Sequence, residues 1–152
     1  MYTQTRVRVY GEKQAILRLE GIKIRLENQQ IPLRQARTLL TAANAQNFAS
    51  NGLPAGGWAP LDAQYGAWKA LRRPGAPTLV SSGSLFRSLM QMDGGNLNIV
   101  TPKSATYGTD VEYAKFHQYG TRKMPKRKIV FEPVGFAAEL GQIMAKWTAR
   151  GI

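Results

Sequence analysis

Leu85-Phe86-Arg87-Ser88-Leu89-Met90, then Asp93-Gly94-Gly95, then Asn96-Leu97-Asn98-Ile99-Val100: this stretch decides the fold class. The last segment alternates polar and apolar side chains, as a strand does when one face meets a core. A glycine-rich turn between two apolar runs marks a β-hairpin. A further short strand near Ala105 to Gly108 completes the meander. Leu85, Phe86 and Leu89 also suit a helical turn, so the first run has two readings.

Outward from the hairpin the period changes. Ala15, Ile16, Leu19, Ile22 and Leu26 form one apolar stripe of a helix over Glu12 to Asn28, with Lys13, Arg18, Lys23 and Arg25 mostly off it. After Gln29-Gln30-Ile31-Pro32, a second stripe runs Leu33, Ala36, Leu40, Ala43, Asn47, and Pro32 suits a first helical turn. So short a connection predicts an antiparallel or splayed helical hairpin. Before it, Thr5 to Tyr10 alternates like a strand and is punctuated by Gly11.

Downstream, Asp110 is a candidate cap for a helix through Val111 to His117 that stops at Gly120, and Lys128 to Phe131 has strand character. Pro133 is expected to open a last helix with the stripe Phe136, Leu140, Ile143, Trp147. Residues 51–83 carry breakers too densely for long elements and predict a long loop, with one helical turn around Leu61 to Leu71. Such loops usually bind something or order on assembly, which makes 51–83 a candidate interface loop. The expected fold is α+β: a small, mainly antiparallel sheet packed by an N-terminal helical hairpin and a C-terminal helix.

At 152 residues the chain fits one domain, 1–152. Hydrophobic residues at 43% and charged residues at 20% predict a folded chain. No apolar run has the length of a membrane span, and the charged N-terminus lacks a signal-peptide pattern, which predicts synthesis in the cytoplasm and no membrane partner. With no cysteine and one histidine, no metal or cofactor is expected. The formal charge of +12, from 21 basic and 9 acidic residues, predicts attraction to polyanions or acidic protein surfaces.

Enzyme signatures are missing. Ser81, Ser82, Ser84 and Ser88 lie in no nucleophile elbow, no phosphate-cradling glycine pattern occurs, and Asp110 with Glu112 is the one close acidic pair. His117 has no partners for catalysis around it. Its expected role is structural, a helix-end ring hydrogen-bonded near the Gly120 turn, where the helix dipole favours a cation.

Two groups of residues remain as contact candidates. Arg122, Lys123, Lys126, Arg127 and Lys128 put five cations into seven positions, readable as a solvated loop, as a contact to acidic protein surfaces, or as a non-specific contact to double-stranded DNA. Trp58, Tyr65 and Trp68 are large aromatics in a segment with few partners, and either fold back or anchor a subunit interface. Tyr113, Phe116, His117 and Tyr119 are the corresponding candidates in the short helix.

Three ordered segments carry a resemblance: Trp58-Ala59-Pro60-Leu61 with Tyr65 and Lys69; Leu79-Val80-Ser81-Ser82-Gly83-Ser84-Leu85-Phe86-Arg87-Ser88-Leu89; and Tyr113-Ala114-Lys115-Phe116-His117-Gln118-Tyr119-Gly120. Together they resemble the phage virion morphogenesis and tail completion family, related to the long-tailed phage tail-component family. Met124-Pro125-Lys126-Arg127 followed by Ile129-Val130-Phe131-Glu132-Pro133 is similar to the family's next motif, except that Lys128 stands where that motif usually has proline and Phe131 falls late. The resemblance implies a virion protein of the neck or head-proximal tail end, without catalytic turnover. It would assemble as a homo-oligomeric, hexameric ring touching connector or neck proteins and the tail tube protein. Within that reading a tail terminator and a head-side stopper are alternatives. From another class, the charge alone would fit a basic, non-specific DNA-binding protein.

Overall fold

The computed structural model describes residue 8, residues 10–91 and residues 94–150. Its elements run α1 (Glu12–Glu27), α2 (Gln30–Ala49), a 3₁₀ turn (Leu53–Ala55), α3 (Ala63–Arg72), α4 (Ser84–Met90), β1 (Asn96–Val100), β2 (Ala105–Thr109), α5 (Ala114–Tyr119) and α6 (Phe136–Arg150). The fold is α+β, with one two-stranded antiparallel sheet among the described residues. The strand expected over Thr5 to Tyr10 lies outside them except for Arg8 and Tyr10, and Asp93 of the expected turn lies outside them as well.

Helix α2 is the spine. Its buried residues Pro32, Leu33, Ala36, Asn44, Asn47 and Phe48 recur at helical spacing. Leu33 and Ala36 support the expected stripe. The two first helices are splayed, because α1 packs on α6 and makes little contact with α2. Gln29 is the joint: its Nε2 donates to the Arg25 carbonyl at 2.7 Å and to Thr148 Oγ1 at 3.2 Å, and its N–H to the Pro102 carbonyl at 2.8 Å. From α6, Trp147 Nε1 donates to the Asn28 carbonyl at 3.1 Å. The stripe expected on α6 is half-buried at Phe136, Leu140, Ile143 and Trp147.

The core gathers Phe48, Leu85, Leu89, Ala114 and Ile129, with Trp58, Leu79, Val80, Phe86, Met90, Val111 and Val130 packed around them. Leu85 to Met90 is therefore helix, not the first strand of a hairpin. The reason is its spacing: Leu85, Ser88 and Leu89 share one buried face, and Ser88 Oγ returns a hydrogen bond to the Leu85 carbonyl at 2.9 Å. The hairpin instead pairs β1 with β2, Asn96 opposite Thr109 through Val100 opposite Ala105, closed by Thr101 and Ser104.

Four further expectations are corrected. Asp110 does not cap α5, whose N-cap is Tyr113 with no side-chain bond; Thr109 Oγ1 takes the Val111 N–H at 3.1 Å and the helix begins a turn later. Lys128 to Phe131 forms no strand, since its pairing partner is a side chain: Gln118 Oε1 accepts the N–H groups of Ile129 and Val130 at 2.9 and 3.0 Å, and Gln118 Nε2 donates to the Val130 carbonyl at 2.8 Å. Pro133 does not begin α6; Phe136 N–H closes a turn onto the Pro133 carbonyl, and the helix follows Gly135. Residues 51–83 hold not one turn but the ten-residue α3, opened by Asp62, whose carboxylate accepts the N–H groups of Gln64 and Tyr65.

Candidate functional site

Two loops far apart in sequence are fastened together beside the core. Arg127, 4% exposed, donates from Nε to the Ala59 carbonyl at 2.8 Å and from Nη2 to the Pro60 carbonyl at 2.7 Å. One residue on, the Lys128 carbonyl accepts from Trp58 Nε1 at 2.8 Å and from Asn47 Nδ2 at 2.9 Å. Trp58 lies edge-on to Phe48, centroids 5.1 Å apart. Gly52 is part of this fit, since at φ +82° a Cβ would meet the Trp58 ring at 2.2 Å. Gly120, at φ +77°, likewise lets the chain turn back so that Arg127 N–H reaches the His117 carbonyl at 2.8 Å.

Against this clamp lies a groove of about 570 Å³, and the three sequence segments meet in it. Leu61, Tyr65 and Lys69 form one wall, Leu79 to Leu85 a second, and Tyr113 and His117 with Lys123 to Pro125 and Arg127 a third. Lys69 is only 4% exposed and donates to the Pro77 carbonyl. Burial lowers the pKa of both Lys69 and Arg127 from their ordinary values. Leu79 holds a left-handed φ of +64°, a strained conformation for an L residue. A larger, shallower hollow of about 950 Å³ is lined mainly by α2.

His117 lines the groove with its Nδ1 enclosed and without a hydrogen-bond partner. Burial first, then the charge of Arg127, lowers its pKa below 6.5, so the ring is held neutral and not as the helix-end cation expected from the dipole. A group depressed in the folded state lends stability above its unfolded pKa and withdraws it as pH falls. The thermal midpoint should therefore drop on going from about pH 7.5 to about pH 5.5, and His117→Gln should flatten that slope. An unchanged slope in the variant would remove His117 as its source.

The remaining candidates separate. Trp58 is folded back into the core packing, and Arg127 is buried with two of its donors on carbonyls, whereas Arg122, Lys123, Lys126 and Lys128 are exposed. Tyr65 and Trp68 stack at 5.6 Å, both exposed, with Tyr65 at the groove wall. Tyr113 and His117 meet edge to face at 6.2 Å within the groove wall. Phe116 and Tyr119 are exposed, and Lys115 lies over the Phe116 ring at 5.3 Å.

Helix α1 was not among the candidates, yet it has no buried residue. Ile16, Leu17, Leu19, Ile24 and Leu26 are all exposed, and Leu17 with Ile24 makes a second apolar line seven residues apart, off the stripe read from the sequence. That spacing was the available signal. Among the described residues no helix is long and apolar enough to cross a membrane, and no cluster of three or more His, Cys, Asp or Glu could hold a metal.

In comparison with known protein families, residues 12–143 match the phage virion morphogenesis family. No curated protein and no solved structure matches the chain.

Proposed function

The chain belongs to the phage virion morphogenesis family, with a structural role in building phage particles, and from that premise we propose that it assembles as a ring completing the tail and joining it to the head. What carries the ring reading is α1. A helix apolar on more than one side is normally covered on more than one side, and among the described residues α6 covers one. Neighbouring copies supply the missing cover in a head-to-tail ring, where each subunit offers one surface and receives another. Catalysis has no part in this reading.

Leu19→Glu and Ile24→Glu change residues that are 65% exposed in the single chain, so each variant should fold. Light scattering should show a closed oligomer for the unaltered protein, alone or with connector and tail tube proteins, and a monomer for the double variant. An unaltered protein that stays monomeric with those partners present would end the ring reading.

The exposed cations Arg122, Lys123, Lys126 and Lys128 favour a second reading, non-specific contact with double-stranded DNA. In a neck ring, this contact would be made with the passing genome. Electron microscopy of particles lacking the protein separates the positions: overlong tails mark a terminator, and normal tails detached from filled heads mark a completion or stopper ring.

A further inference from the structure

The groove between α3, α5 and the loops 79–85 and 121–128 contains an imbalance of charge. Among the described residues Lys69, Lys123 and Arg127 line it, with the neutral His117 beside them, against a single acid, Asp62, whose carboxylate is engaged by the first turn of α3. Lys69 and Arg127 are each 4% exposed and hydrogen-bonded to neutral carbonyls. Buried cations are ordinarily paired with an anion, because desolvation is otherwise uncompensated. Unused donors remain: an ammonium has three and a guanidinium five, and these bonds occupy one and two of them. Leu79, Val80 and Leu85 supply an apolar wall beside these groups.

We propose that this groove binds an extended acidic segment of a partner protein, with a carboxylate set toward Lys69, His117 and Arg127 and flanking aliphatic side chains on Leu79, Val80 and Leu85. Charge selects the occupant. A second copy is a poor source of acid, with 9 acidic residues against 21 basic ones. A DNA duplex meets exposed cations such as Lys126 and Lys128, not groups recessed below the surface. The assignment stands apart from the ring reading, which concerns α1.

The test is fluorescence anisotropy of the whole protein with a labelled peptide alternating glutamate with leucine and valine, beside its glutamine counterpart. The glutamate peptide should bind at least about tenfold more tightly, since charged hydrogen bonds are roughly twice as strong as neutral ones. Ser81→Glu, at an exposed position on the groove wall, should weaken that binding by a similar factor through like-charge repulsion. In the unaltered protein, hydrogen exchange should slow at 79–85 and 113–117 when the peptide is added. Equal binding of both peptides, displacement of the peptide by duplex DNA, or the same protection from raised protein concentration alone would each overturn the proposal.

Discussion

Arg127→Met should destabilise the protein by about 3 kcal/mol or more. The change removes two charge-assisted hydrogen bonds, each worth about 1.5–3 kcal/mol, and leaves the carbonyls of Ala59 and Pro60 without these donors. Methionine keeps much of the side-chain length, so the loss reports on the bonds more than on a void. Arg127→Lys should recover only part of it, since one ammonium cannot reproduce the forked geometry. Urea unfolding measures the change. Hydrogen exchange should show residues 51–62 and 121–128 loosening together, because the arginine supplies two of the bonds that span them. A variant within about 0.5 kcal/mol of the original would mean that Trp58 Nε1 and Asn47 Nδ2 on the Lys128 carbonyl hold the loops without it.

Phe48→Ala should cost about 4 kcal/mol, in the range for emptying a buried aromatic site. Phe48 is 3% exposed and meets both Trp58 and Phe86 edge-on, at 5.1 and 5.4 Å. The melting temperature should fall by about 10 °C for a chain of this size. Unlike the arginine variant, this one should speed exchange through α2 and α4 as well as the loops, since both helices lose a shared contact. Loosening confined to 51–62 would show that Phe48 serves the loop and not the core.

Apolar periodicity made α1, α2 and α6 legible, because helices that bury or line up one face leave that mark in the chain. The β1–β2 hairpin was half-legible: the alternation of Asn96 to Val100 was readable, but the partner was misplaced, since Leu85 to Met90 is too short for its period to decide between helix and strand. Other parts rest on groups that periodicity does not record. Gln118 takes the place of a strand by offering an amide edge, and nothing in Lys128 to Phe131 announces that its partner is a side chain. The site was legible as a set of segments, not as a geometry. The segments from Trp58, Leu79 and Tyr113 were marked out by order and spacing, but burial of Arg127 inside a basic run could not be read from a row of like charges.

Lys128 is the departure from the family's pattern, and its carbonyl is also where Asn47 and Trp58 converge. A carbonyl oxygen is the same whatever side chain stands beside it. Among the described residues the Lys128 N–H has no acceptor, so the ring of a proline would remove no bond there. A proline at position 128 would thus cost no backbone hydrogen bond, and the departure from the motif sits beside one of the most connected atoms of the clamp.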